Sequence, residues 1–203
     1  MNALSRNLNY IFWGTLLIIF DINFESSTNG YGLKIDMLND VIGACFVFIG
    51  VRYLLKANIL NQAYYKHLKI ALYAASIYIY LSFIDFIISP FPPEFNFFNL
   101  LLTLFVIYGE IEFCKAMSML SDTANDFVLK RNWRTAMLLI LYINFIPYTL
   151  FVISTMLDVV GLNINLDLFS YASILGLFFF LQFISPIYIL WVLYKTKQTI
   201  KQI

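Results

Sequence analysis

The sequence is poor in the residues that cover the surface of a soluble protein. Asp, Glu, Lys and Arg together make up 12% of its 203 residues, whereas 61% are hydrophobic. A soluble domain carries about 25% charged residues. This shortage excludes an ordinary soluble globular domain and indicates an integral membrane protein.

Residues that support catalysis or cofactor binding are also scarce. His67 is the single histidine, so a His-x-x-x-His metal site cannot form, and no P-loop or G-x-G-x-x-G phosphate cradle is present. We expect His67 to face solvent or lipid headgroups in a loop. Cys45 and Cys114 form no C-x-x-C pair and are interpreted as small buried residues. The sequence therefore predicts no cofactor, argues against an enzyme, and gives no basis for nucleic-acid binding.

What is abundant is apolar sequence in runs of bilayer-spanning length, which is about 20 residues. Six spans are predicted, at 8–24, 35–55, 68–89, 95–117, 135–157 and 166–194. The first run could instead be a cleaved signal peptide, but Asp21 interrupts the cleavage region and no small-x-small site follows. We therefore predict an all-α fold, a polytopic transmembrane helix bundle that forms a single domain over residues 1–203.

Basic residues indicate the orientation of this bundle. Twelve of the thirteen Lys and Arg residues fall on one side of the predicted spans, and Lys34 alone falls on the other. Such a bias marks the cytoplasmic side, which places both termini in the cytoplasm. Trp13, Trp133 and Trp191 are expected near the same interface, where indole rings are enriched.

Acidic residues gather at the opposite side, with four aspartates at the outer ends of the first three spans. If the polar faces of these spans meet, Asp21, Asp36, Asp40 and Asp85 would form an acidic vestibule that attracts cations, binds a hard metal ion or shares protons. The alternative is that each acid caps its own helix, where the macrodipole stabilises it by about 0.3–1 kcal/mol.

Two helical stripes favour the vestibule. Asp36, Asp40, Gly43, Val47 and Gly50 share one face of the second span by 3.6-residue periodicity, and a stripe with two glycines is where another helix approaches closely. A second polar stripe lies on the third span, formed by Tyr78, Ser82 and Asp85.

Glu110 is the acid that lies deepest in a predicted span. Glu112 has a neutralising partner in Lys115 at i+3, but Glu110 has no such neighbour. An intramembrane carboxylate of this kind is by default a functional hypothesis. The alternative is a salt bridge to Arg52 or to another base at the cytoplasmic end.

One cytoplasmic loop and two prolines complete the pattern. In "SDTANDFVLKR" we expect a short interfacial helix with Ser121 as N-cap and an Asp126–Lys130 pair. Lys130, Arg131 and Arg134 there could dock a partner or anionic lipid. Pro147 and Pro186 fall within late spans, where they are hinges or static packing kinks.

The N-terminal quarter resembles a group of small uncharacterised bacterial multi-pass membrane proteins. The shared pattern is a Phe-Trp-Gly opening, an aspartate that ends the first span, and a D-I-L-P-D-x-I-G segment leading into a glycine-containing second span. The matching residues, all within about the first 55, are Phe12, Trp13, Gly14, Asp21, Asp36, Asp40, Gly43 and Gly50, and Asn39 stands at the position of the proline. The resemblance implies a bacterial inner membrane and no known activity.

Three functions are consistent with these features. The leading prediction is a small translocation or channel component that handles cations through the acidic vestibule and Glu110, acting as a homo-oligomer or as a subunit of a membrane complex. The rival is a membrane anchor that docks a partner protein on its basic cytoplasmic face. A lipid-modifying enzyme would require carboxylates open to the bilayer. The lipid bilayer itself is a predicted partner in all three.

Overall fold

A computed structural model describes residues 3–19, 37–57, 61–87, 93–159, 181 and 183–201. All secondary structure in this part of the chain is helical, which confirms the predicted all-α class. The helices are α1 (Ala3–Ile19), α2 (Met37–Lys56), α3 (Gln62–Ile87), α4 (Pro93–Thr123), α5 (Phe127–Leu139), a π-helical segment (Ile140–Phe145), α6 (Ile146–Val159) and α7 (Ile184–Lys201).

Two of the described helical segments are long and apolar enough to cross a membrane, by length and composition. They are residues 62–84 of α3 and residues 127–157, which join α5, the π segment and most of α6. Less than a quarter of each apolar window is buried against the rest of the chain. Apolar helices of this length that remain largely uncovered fit a lipid environment better than the core of a soluble protein.

The helices pack in chain order and close on themselves. Each of α1 to α4 contacts the next, α4 contacts α5, α5 contacts α7, and α7 returns to contact α1. The contacts between α1 and α2 pair Gly14 with Gly43 and Asn7 with Gly50, so these consecutive helices run in opposite directions, as neighbouring helices of a bundle do. The result is a ring of six helical rods around a common interior.

The core of this ring is concentrated at one end. It takes residues from the first half of α1 and α3, the second half of α2, α4 and α7, and from α5. Among its fully buried members are Leu8, Leu54, Leu68, Met117, Trp133 and Val192. Because opposite halves of successive antiparallel helices supply these side chains, they meet at a single level of the bundle. The described basic residues flank the same helix ends.

Helices α1 and α2 are in closest contact along the predicted glycine stripe. A Cβ at Gly43 would lie 2.7 Å from the carbonyl oxygen of Gly14, and a Cβ at Gly14 would lie 2.5 Å from that of Gly43. A Cβ at Gly50, two turns further along α2, would lie 2.9 Å from the carbonyl oxygen of Asn7, two turns back along α1. The stripe therefore faces another helix, as its periodicity indicates, and that helix is α1.

The boundary between α4 and α5 differs from the expected one. Ser121 is not an N-cap: it lies inside α4, where its hydroxyl donates to the carbonyl of Met117. Asn125 takes the left-handed conformation with φ of 55°, and Asp126 caps α5 by accepting from the backbone N–H of Leu129 at 2.9 Å. An aspartate before a helix satisfies an orphan N–H more effectively than it pairs with a distant lysine, so the predicted Asp126–Lys130 pair is wrong.

The π segment accommodates Pro147. A proline inside a helix removes one backbone donor and crowds the carbonyl four residues earlier, and a π turn directly before it relieves that conflict. Asn144 in the segment donates through Nδ2 to the hydroxyl of Ser185 at 2.9 Å. Ser185 precedes Pro186, so the two proline-containing helices are joined at their irregular positions.

Candidate functional site

A cavity of about 280 Å³ lies inside the helical ring. Its described walls come from α1, α2, α3, α4 and α7, and they are almost entirely apolar; typical lining residues are Ile18, Val47, Ala75, Val106 and Ile189. The cavity begins beside the core and extends towards the opposite end of the bundle, since it is lined by the later half of α1 and the earlier half of α2.

Small side chains make room for this cavity. Ala71, Ala74 and Ala75 line it from α3, on the face that approaches α4. Gly109 of α4 lies directly against Ala74, so closely that a Cβ at the glycine would overlap the alanine methyl group. The two backbones approach at that point, and the residues on either side lack the bulk to fill the interior.

Glu110 is the one charged residue among the described residues that line the cavity. Its side chain is exposed, and the other residues of the cavity wall are mostly apolar. No described Lys, Arg or His lies within 4 Å of its carboxylate, whereas the described ion pairs all involve other acids. Among the described residues Glu110 therefore forms no salt bridge with Arg52, which is exposed on α2.

Three hydroxyl groups accompany Glu110. Thr15, Tyr78 and Thr103 line the cavity from α1, α3 and α4. The hydroxyl of Thr103 donates to the carbonyl of Asn99 at 2.9 Å, and it also has a side-chain hydrogen bond with Tyr148. Ser82, one turn beyond Tyr78, is 9% exposed. The polar stripe predicted on the third span thus turns towards the interior at both of its described side chains.

The predicted vestibule is described only in part. Asp21 and Asp36 lie outside the described residues, and Asp85 belongs to α3 without a described side chain. Asp40 stands in the first turn of α2 with its side chain half-buried. It precedes the cavity residue Ala44 by one turn, about 6 Å of helix rise, so it lies at the end of the cavity remote from the core. The vestibule stays a prediction.

A charged cluster joins α3 to α4 beside the core. Glu112 is 2% exposed, and its carboxylate contacts His67 Nδ1 at 2.5 Å and Lys115 Nζ at 2.6 Å. The i,i+3 pair with Lys115 is as predicted. The expectation for His67 was wrong, because its side chain is 20% exposed and faces a buried carboxylate rather than headgroups. Glu112 was the residue that could have predicted this contact, because an acid in an apolar helix usually pairs with other polar groups.

The three predicted docking residues, Lys130, Arg131 and Arg134, differ in their contacts. Lys130 is engaged with Asp122, Nζ to Oδ1 at 2.5 Å. Arg131 and Arg134 are exposed on α5. The indole N–H of the neighbouring Trp133 donates to the hydroxyl of Thr196 at 3.0 Å, and Trp133 is fully buried, so this tryptophan packs in the core of the bundle.

The described side chains offer no ready-made metal centre. No three His, Cys, Asp or Glu residues among them come close enough to hold a metal ion. The chemistry available in the cavity is thus one carboxylate, a few hydroxyl oxygens and a large apolar surface. Comparison of the chain with known protein families, curated proteins and solved structures found no match.

Proposed function

We propose that this chain is a six-span membrane protein that translocates cations, with both termini in the cytoplasm and Glu110 as the intramembrane cation-binding group. The observation that carries the proposal is the unpaired carboxylate of Glu110 in an apolar cavity enclosed by a ring of helices. An ionisable group inside a bundle is expensive to keep there, and Glu110 has no described structural partner that would explain it.

The arrangement of charge along the bundle supports this role. Asp40 marks the outer end of the cavity and Glu110 its inner part, so a cation entering from outside would meet negative groups in sequence. The basic residues lie beyond the core, at the cytoplasmic end of the proposed topology. Acidic groups at one mouth of a pathway also raise the local cation concentration.

The ring also provides the enclosure that translocation needs. Five helices of one chain supply the described walls, so the site does not depend on a second copy. The π segment before Pro147 places irregular backbone beside α4, which supplies part of the cavity wall. Irregular backbone at membrane depth is tolerated where protein surrounds it, and it is common along transport pathways.

Flux through proteoliposomes tests the proposal. Purified protein is reconstituted with a pH-sensitive dye and, separately, with dyes for Na⁺ and K⁺ inside, and influx is driven by an imposed cation gradient. We expect flux of at least one cation in the wild type, its loss in Glu110→Gln and a reduction in Asp40→Asn. The matched control is Asp122→Asn, which removes a carboxylate that is 49% exposed and distant from the cavity.

The control variant should retain full flux. Equal flux in the wild type and in Glu110→Gln would end the proposal, as would a loss of flux that the Asp122→Asn control shares. Chemical labelling of Lys195 and Lys197 checks the topology. In sealed vesicles that keep the orientation of the cell, both lysines should be protected from a membrane-impermeant amine reagent added outside.

A further inference from the structure

We infer that the cavity binds an organic cation, an amine that carries an apolar body, rather than a divalent metal ion. This inference rests on the proposed function, because it uses the same carboxylate, and it specifies the class of ligand. The evidence is the composition of the wall around Glu110: one negative charge set into hydrocarbon.

An inorganic cation would be poorly coordinated here. Hard ions such as Ca²⁺ take six to eight oxygen ligands, and Mg²⁺ takes about six in near-octahedral geometry. The described wall offers the carboxylate of Glu110 and the hydroxyl oxygens of Thr15, Tyr78 and Thr103 on three different helices. The described residues contain no cluster of three metal-binding side chains, so most of the ion's hydration shell would have no replacement.

A charged amine has smaller requirements at its head. A single ammonium group needs one counter-ion and up to two further acceptors to satisfy its three donors. Glu110 provides the counter-ion, and hydroxyl groups line other parts of the same cavity. The low polarity of the surroundings strengthens this pair relative to the same pair in water.

The remainder of the cavity suits the apolar body of such a ligand. A volume of about 280 Å³ equals roughly nine water volumes at about 30 Å³ each, close to the lower limit of about 300 Å³ for ligand pockets. An apolar cavity does not hold water stably. The side chains of Ile18, Val47, Val106 and Phe113 therefore favour a small aromatic or branched aliphatic group.

Equilibrium binding with three matched probes tests the inference. The probes are 4-phenylbutylamine, which is cationic at pH 7, the neutral 4-phenylbutan-1-ol and the anionic 4-phenylbutyrate. They share one apolar body and differ in the head group. Titration calorimetry in detergent should show the amine binding at least tenfold more tightly than the alcohol, with no detectable binding of the acid.

Variants of the cavity wall test recognition of the charged head group and of the apolar body of the ligand separately. Glu110→Gln should abolish the tenfold preference for the amine and leave weak binding of the alcohol. Ala75→Leu enlarges a buried residue of the wall, 8% exposed, and should abolish binding of both. Val106→Phe narrows the cavity from α4 and gives the same test should Ala75→Leu prevent folding, which thermal unfolding reports.

Several results would overturn the inference. Equal affinity for the amine and the alcohol, amine binding unchanged in Glu110→Gln, or affinity unchanged in both cavity-filling variants would each do so. A lipid held tightly in the cavity would prevent binding of all three probes, with the same consequence. Inorganic cation flux that depends on Glu110 but is unaffected by the amine would overturn the organic ligand and leave the proposed function intact.

Discussion

The cluster of His67, Glu112 and Lys115 should respond asymmetrically to removal of its members. The perturbation is the double substitution His67→Leu with Lys115→Met, compared with the single substitution Glu112→Gln. The double variant leaves a carboxylate that is 2% exposed without either partner, whereas Glu112→Gln leaves His67 and Lys115, whose side chains are 20% and 39% exposed. A partly exposed polar side chain can turn to water, and a buried carboxylate cannot.

The magnitudes follow from these exposures. Stranding a buried charge costs about 3–5 kcal/mol, so the double variant should lose about that much free energy of unfolding. Glu112→Gln removes two charge-assisted contacts but keeps a polar group in place, and the exposed lysine contributes little by itself. We expect a loss of about 1–2 kcal/mol. Each single substitution of His67 or Lys115 leaves one partner for Glu112 and should also cost about 1–2 kcal/mol.

Unfolding by SDS in mixed micelles, followed by far-UV circular dichroism, measures these losses. The triple variant His67→Leu, Glu112→Met, Lys115→Met is the control, because replacing a whole buried ionic group by apolar residues is often close to neutral. It should recover most of the stability that the double variant loses. The reasoning would be refuted if Glu112→Gln were less stable than the double variant, or if the triple variant were the least stable of all.

Three further variants test other contacts. Gly43→Ala places a methyl group 2.7 Å from the carbonyl oxygen of Gly14 and should destabilise the α1–α2 pair by about 1–3 kcal/mol in the same SDS titration; no loss would mean that these helices are not in close contact. Thr196→Val removes the acceptor of the Trp133 indole, at a cost of about 1 kcal/mol, and a blue shift of tryptophan emission should accompany it because the buried indole loses its polar partner. Glu110→Gln should raise the SDS midpoint, since a charge inside a bilayer costs up to about 2.5–3.5 kcal/mol, and a lower midpoint would reveal a structural partner.

Sequence periodicity predicted the parts of the fold that depend on local repeats. The apolar runs predicted the helices, and the spacing of Gly43 and Gly50 predicted the face on which α1 lies. The i,i+3 relation of Glu112 and Lys115 was visible for the same reason. Each of these features depends on residues within a few turns of one another.

Features that depend on contacts between distant helices could not be read from the sequence. His67 lies 45 residues before Glu112, and Trp133 lies 63 residues before Thr196, so neither pairing has a periodic signature. The π segment depends on Pro147 and on the contact of Asn144 with Ser185 of α7. The cavity exists because the side chains of five helices do not fill their common interior. Its presence depends on the packing of all five helices together and cannot be predicted from any one of them.

Glu110 and Glu112 show how one helix separates binding from stability. Two residues turn an α-helix by about 200°, so the two carboxylates point to nearly opposite faces of α4. One enters the cavity, and the other enters the charged cluster beside the core. A cavity leaves its lining without van der Waals partners on one side, and its walls therefore contribute less to stability than a packed interior does. The dense core and the charged cluster stabilise the other end of the ring, which allows the cavity to remain open and its carboxylate unpaired.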